Sequence, residues 1–215
     1  MSEAFQNPVG VLAIQGDYAA HQQALRALDV PSILVRKAEQ LERISGLILP
    51  GGESTTLLKF LEGEGLWEPL RDFAQQHPVF GTCAGAILLA AEVENPAQRS
   101  LGLIDISVRR NAFGRQVFSF IRHASLTKSF TAKIAKAAPA EGKIEAVFIR
   151  APLILRTGKS VETLISLDDS PVLVQQGKTL AATFHPELSN VANSDLLVHR
   201  YFCSLVTGQM PSIQL

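Results

Sequence analysis

Apolar residues along the first ninety positions recur in two alternating rhythms. Short continuous runs at 9–14, 33–35, 46–49 and 79–82 have the length of buried strands. Between them, 18–28, about 54–61, about 66–75 and 84–91 space their apolar residues at helical intervals. Strand followed by helix, repeated, predicts a parallel sheet covered by helices on both faces. The second half changes character. β-leaning runs fall at 103–108, 117–121, 130–134, 144–149, 164–167, 171–175 and 179–183, and turn residues separate them, which predicts a mixed or antiparallel extension. A last helix is expected over 195–206, with Leu196, Leu197, Tyr201, Phe202 and Leu205 turned toward the core. No repeat or linker interrupts the pattern, so residues 1–215 are expected to form one domain.

A chain of 215 residues can bury roughly 70 % of its unfolded surface, enough for a core without disulfide or metal staples. Twenty Lys and Arg balance twenty Asp and Glu, so net charge offers no pull toward nucleic acid or an anionic membrane. The only cysteines are Cys83 and Cys203, which describes neither a secreted disulfide scaffold nor a cysteine-based zinc site. No signal-like start and no long apolar run is found, so a cytoplasmic protein is expected, with neither metal nor cofactor.

Chemistry concentrates at three places. Gly81-Thr82-Cys83-Ala84-Gly85 joins an expected strand to an Ala-rich helix. A nucleophile on such a tight turn needs small residues two positions either side, because other segments approach closely. The helix start favours a thiolate, and the Ala84 N–H is free to meet a developing oxyanion. Phe184-His185-Pro186-Glu187 follows another expected strand, and in extended backbone Glu187 projects to the same side as His185 and can orient its imidazole. A buried small hydrophobe is the alternative for Cys83. Joined to His185 and Glu187, however, it makes a nucleophile, a base and an orienting carboxylate. The third place, Leu49-Pro50-Gly51-Gly52-Glu53-Ser54-Thr55, lies between strand and helix. Its backbone can offer a second oxyanion donor from Gly51 or Gly52. It lacks the Gly-Lys-Ser/Thr ending of a phosphate-binding loop.

These segments, together with GVLAIQGD from Gly10, RRNAFGRQ from Arg109 and VFIRAP from Val147, resemble in order the glutaminase subunits of pyridoxal 5′-phosphate synthase. Those subunits are a branch of the class I glutamine amidotransferases. The resemblance spans about residues 10–201. It implies an α/β, flavodoxin-like three-layer sandwich with a mixed, mainly parallel central sheet, and a Cys83-His185-Glu187 triad. It also implies glutamine contacts at Gly52, Glu53, Ser54, Arg110, Ile149 and Arg150, with Glu53 suited to the α-ammonium and a guanidinium to the α-carboxylate. Gln15 and the Gly51-Gly52 peptide are implied as parts of an activation switch. The implied partner is a barrel-shaped pyridoxal 5′-phosphate synthase subunit in a hetero-oligomeric complex that receives the ammonia. The alternatives are the glutaminase subunit of another ammonia-using enzyme, such as imidazole glycerol phosphate synthase, or a non-catalytic α/β binding protein.

Three segments depart from the family pattern: 141–145, the connection 189–195 and the tail beyond Thr207. For the remaining candidates, Cys203 is expected to pack in the last helix. His21, His77, His123 and His199 are expected in surface or capping roles. The Arg109, Arg110 and Arg115 cluster is expected on a solvated face or in a substrate pocket.

Overall fold

In the computed structural model, residues 6–110, 119–189 and 196–209 are described, Lys136 by its backbone alone. The chain opens with β1 (Val9–Leu12), α1 (Tyr18–Ala27), β2 (Ser32–Val35), β3 (Gly46–Leu49), α2 (Ser54–Gly63), α3 (Trp67–Gln76), β4 (Val79–Thr82) and α4 (Ala84–Leu89). It continues through β5 (Ala90–Glu94), β6 (Ile104–Arg109), β7 (Ser119–Leu126), α5 (Lys128–Ile134), β8 (Lys143–Ile149), β9 (Leu153–Thr157), β10 (Glu162–Leu167), β11 (Ser170–Gln176), β12 (Thr179–Ala182) and α6 (Leu197–Thr207). Among the described residues, nine strands form one sheet in the order β2-β1-β3-β4-β12-β11-β10-β7-β8. The pairings from β2 to β12 are parallel and those from β12 to β8 antiparallel. The sheet is mixed, as expected, with its parallel strands gathered in one half.

Strand periodicity sorts side chains between two cores. Val9 and Val11 of β1, Ile48 of β3, Phe80 of β4, and Leu180 and Ala182 of β12 point to the face covered by α1 and α6. Leu12, Leu47, Leu49, Val79 and Ala181 point to the other face, under α2, α3 and α4. Helices thus lie on both faces of the sheet, in three layers. Both faces of these parallel strands are buried, which is why they read in sequence as unbroken apolar runs.

Three elements differ from the sequence expectation. Residues 130–134, expected as a strand, belong to α5: the Thr127 side chain accepts from the Phe130 N–H at 3.2 Å, and Phe130 and Ile134, one turn apart, are buried together. The helix expected over 84–91 ends at Leu89. Ala90 starts β5, which joins β6 and the unanticipated β9 in a small second sheet. The 111–116 part of the arginine-rich motif, the beginning of the strand expected at 117–121, the connection 190–195, the first residue of the helix expected over 195–206 and the tail from 210 lie outside the described residues.

Candidate active site

The strands of the parallel half all end on the same side, and their ends carry the chemistry. β4 runs into Cys83, whose φ of 49° and ψ of −103° place a non-glycine residue in a sparsely populated region before α4 begins. The turn is held from both sides: the Cys83 N–H donates to the Ala182 carbonyl at 2.8 Å and the Ile87 N–H to the Cys83 carbonyl at 3.2 Å. The glycines that flank it meet the need for close approach. A Cβ at Gly85 would lie 2.0 Å from the Leu49 carbonyl oxygen, and one at Gly81 2.6 Å from the Gly85 carbonyl carbon. No side chain fits at either position without moving backbone.

Just beyond β12, Thr183 and His185 continue the strand's path. The His185 N–H donates to the Val147 carbonyl of β8 at 2.8 Å, which ties the antiparallel half to the site. The imidazole is 3 % exposed, and its Nδ1 lies 2.7 Å from Oε1 of the buried Glu187. Nδ1 is therefore committed to the carboxylate, which leaves Nε2 as the ring nitrogen available to Cys83 on the same cavity wall. Burial alone would lower the His185 pKa, but its interactions with Cys83 and with the Glu187 carboxylate outweigh it and raise the pKa to about 10. The site thus favours the protonated form of the ring. Burial pushes the Glu187 carboxyl up, against the opposing pull of His185. The Cys83 Sγ also lies 3.8 Å from the Ile149 carbonyl oxygen.

The β3–α2 turn forms the opposite wall. A Cβ at Gly51 would sit 2.5 Å from Cε1 of His185 and 3.3 Å from the Cys83 Cβ, so backbone here lies directly against the two reactive side chains. Gly52, at φ of 142°, packs on Gln15, whose Nε2 donates to the Glu53 carbonyl at 2.7 Å. Gln15 thus ties the turn to the end of β1. Glu53 caps α2, its carboxylate accepting from the N–H groups of Thr55 and Thr56 and from the Thr56 hydroxyl. Its slight burial would raise the carboxyl, but these donors win and hold it at about 2. The buried Arg110 reaches Oε1 of Glu53 at 3.3 Å and Oγ1 of Thr55 at 2.9 Å through Nη2.

A cavity of about 250 Å³ opens between these walls, a size suited to a small polar metabolite. Cys83 and His185 line it, as do all six residues expected to touch glutamine: Gly52, Glu53, Ser54, Arg110, Ile149 and Arg150. Arg150 holds a left-handed φ of 46° at the end of β8. Asp17, the last residue of the GVLAIQGD segment, and Ile87, just beyond the elbow, also line the cavity, although neither was expected as a site residue. Asp17 Oδ2 lies 3.7 Å from Nδ1 of His185. Ligand atoms of Asp17, His185 and Glu187 fall within 4.8 Å of one another, close enough to hold a cation. The imidazole nitrogen that would ligate is the one bound to Glu187, and a protonated ring has no lone pair to offer, so this set fits an ion pair better than a metal.

Behind Glu187 the sequence reading needs correction. His21 and His199, expected at the surface or as caps, are both completely buried. His21 Nδ1 lies 2.9 Å from His199 Nε2, and His21 Nε2 lies 3.2 Å from Thr82 Oγ1 and 3.5 Å from Glu187 Oε1. Cys203 is buried in α6, as expected, and burial pushes its thiol up to about 12.

Comparison with known proteins adds the following. Residues 11–207 match the model of the SNO glutamine amidotransferase family. The chain is 50 % identical over 196 residues to the pyridoxal 5′-phosphate synthase subunit PdxT of Solibacter usitatus, covering 91 % of this chain and 97 % of that protein. With the same-named subunit of Koribacter versatilis identity is 51 % over 198 residues, covering 92 % and 95 %. A solved structure described as a glutamine amidotransferase superposes with a TM-score of 0.79 at 45 % identity, covering 92 % of this chain and 98 % of the other.

Proposed function

The chain belongs to the SNO glutamine amidotransferase family, and on that premise we propose that it hydrolyses L-glutamine to L-glutamate and ammonia through Cys83, His185 and Glu187. In this reading residues 1–215 act as one glutaminase domain and pass the ammonia to a separate pyridoxal 5′-phosphate synthase subunit. The observation that carries the proposal is the His185 ring, fixed by Glu187 at 2.7 Å through Nδ1, on the wall of a metabolite-sized cavity that Cys83 also lines.

The steps follow from the geometry. The Cys83 thiolate attacks the side-chain amide carbon of glutamine, and the C=O pair moves onto oxygen. That oxyanion meets the backbone N–H of Ala84 and one from the Gly51-Gly52 peptide, each such donor contributing on the order of 3 kcal/mol to the barrier reduction. The His185 imidazolium gives its Nε2 proton to the nitrogen as the C–N bond breaks, leaving ammonia and a γ-glutamyl thioester. The now neutral His185 takes a proton from water, the hydroxide attacks the thioester, and the sulfur leaves as thiolate beside a restored imidazolium. Glu187 holds the ring's orientation throughout and, while the ring is neutral, keeps its proton on Nδ1.

Recognition falls to the cavity wall. Arg150 and Arg110 are the guanidinium groups at hand for the glutamine α-carboxylate. Arg110 already serves Glu53 and Thr55, so Arg150 is the freer of the two to bind substrate. Because the Glu53 carboxylate is engaged by the α2 cap and by Arg110, Asp17 is a second candidate for the α-ammonium. Gln15, as tether of the Gly52-Glu53 turn, is placed to pass a change at β1 to the oxyanion donors, which is the reading we give its switch role. Ammonia released from amide-labelled glutamine, with and without a pyridoxal 5′-phosphate synthase subunit, tests the proposal. Release by the wild type that rises with the synthase and disappears in Cys83→Ala is expected. No release in any combination, with a synthase that works on free ammonium, overturns it.

A further inference from the structure

Deep to the triad lies a polar cluster that hydrolysis by three residues does not call for. His21 on α1 and His199 on α6 are both at 0 % exposure. The Phe80 ring meets each of them edge-on, at 6.4 and 6.0 Å between centroids. Two imidazoles in an apolar core are costly unless their hydrogen bonds fulfil a purpose, and a packing role alone would be better served by leucine or phenylalanine.

Their proton positions can be worked out from the partners. One N–H must lie between His21 Nδ1 and His199 Nε2, 2.9 Å apart. If His21 supplied it, His199 would carry its own proton on Nδ1, and that atom has no partner among the described residues. His21 Nε2 would then turn a lone pair toward the Glu187 oxygen at 3.5 Å. The reverse arrangement removes the repulsion at Glu187 and exchanges an unpartnered donor at His199 for an unpartnered acceptor, the smaller cost. His199 donates from Nε2, its Nδ1 is an unprotonated lone pair, and His21 carries its proton on Nε2, directed at Thr82 Oγ1 and Glu187 Oε1.

We propose that His21, fixed as the Nε2–H tautomer by His199, is a positioning residue for the triad: its N–H, hydrogen-bonded to Thr82 Oγ1, presents its positive end 3.5 Å from the Glu187 oxygen that binds His185, and so favours the ionised carboxylate in that orientation. The proposal rests on the triad reading above and extends it by two residues. The need for such support is visible at Glu187 itself, whose carboxyl burial pushes toward the neutral form and whose other oxygen, Oε2, has no hydrogen-bond partner among the described residues to share the charge. A neutral Glu187 would remove the charge that favours the His185 imidazolium, and with it support for a Cys83 thiolate. The charged and titratable groups around this carboxylate are His185, His21 and the more exposed Asp17, whose negative charge works in the same direction as burial. His21 faces His199, His185 and Glu187, and desolvation followed by the two histidines keeps it neutral.

The test uses His21→Leu, which removes the donor, and His21→Gln, whose side-chain amide can accept from His199 and donate toward Glu187. Two quantities are followed in the full chain: glutamine turnover with the synthase subunit, and the pH dependence of Cys83 alkylation by iodoacetamide. In His21→Leu, kcat is expected to fall roughly 10- to 100-fold with little change in KM, and the acid limb of alkylation to move up by roughly one unit. His21→Gln is expected to recover most of both. A His21→Leu protein with wild-type kcat and alkylation profile overturns the proposal, as does a His21→Gln protein as impaired as His21→Leu. Should His21→Leu fail to fold, the ¹⁵N spectrum of the wild-type histidines decides: a neutral His21 protonated at Nε2 is expected, and protonation at Nδ1 overturns the assignment. Wild-type protein that shows a pH-dependent Cys83 alkylation but releases no ammonia from glutamine would count against the glutaminase reading and leave the His21 comparison readable through alkylation.

Discussion

The two halves of the central sheet contribute unequally to the site. The parallel half places Gln15, Gly51, Cys83 and His185 at the ends of β1, β3, β4 and β12, strands that are buried throughout. The antiparallel half contributes Ile149 and Arg150 from β8, an edge strand paired with β7, which is largely exposed. In the proposed mechanism the reacting groups, with the Gly52-Glu53-Ser54 contacts of the β3–α2 turn, sit at the ends of strands packed on both faces, whereas Ile149 and Arg150 sit at the sheet's edge, where side chains are free to respond to a ligand or a partner. Errors of placement should therefore be costly to kcat and to stability in the first half, and costly to KM in the second.

Gly85→Ala attacks the first half at its tightest point. The added methyl would fall 2.0 Å from the Leu49 carbonyl oxygen, so a loss of about 3 kcal/mol or more is expected, seen as a fall of roughly 10 °C in the unfolding midpoint. A midpoint unchanged from wild type would mean that the elbow is looser than its geometry implies. Glu187→Gln leaves the shape and removes the charge. We expect a drop in kcat of about 10³-fold or more, by analogy with loss of the orienting carboxylate in other triads, with the fold intact by circular dichroism. Arg150→Ala probes the second half, and an increase in KM for glutamine of roughly 10-fold with kcat nearly preserved would sharpen the division. An equal fall in kcat would erase it.

The smallest expected effect is on stability against pH, and it separates the two sets of histidines. The folded His185 pKa is raised to about 10 from the ordinary value near 6.5, so its contribution is complete below that ordinary value and is lost as pH rises toward 10. His199 is lowered to about 4 by burial, and His21 is lowered well below its usual value by burial and by His199 and His185. Above the ordinary value their burial carries no pH-linked penalty, and stability erodes as pH falls below about 6.5 toward 4. Chemical denaturation across this range should show wild type losing stability on both sides of neutrality. His185→Gln should flatten the alkaline side alone.

What the sequence made legible follows from how local each feature is. The elbow needs small residues within two positions of Cys83, and Glu187 is two positions from His185, so both are written as short strings. The parallel strands are legible because burial on both faces leaves continuous apolar runs. The histidine pair was not, because His21 meets Thr82, Glu187 and His199 at separations of 61, 166 and 178 residues, and nothing near either histidine announces a buried partner. The Glu53–Arg110 pair was hidden for the same reason, which left Glu53 looking freer for the glutamine ammonium than it is. At α5, Phe130, Thr131 and Ile134 favoured a strand by composition, and the Thr127 cap with packing of one helical face decided otherwise.

The central claim, that Cys83 is the nucleophile toward glutamine, meets its most direct test in covalent trapping. The protein would be treated with a glutamine-like diazo-ketone and its two cysteine peptides compared by mass spectrometry. The account predicts one adduct, on Cys83, suppressed by excess glutamine and formed more slowly in Glu187→Gln, with Cys203 untouched because it is fully buried away from the cavity that Cys83 lines and its thiol is held up to about 12. An unmodified Cys83, or labelling that glutamine does not suppress, would contradict it.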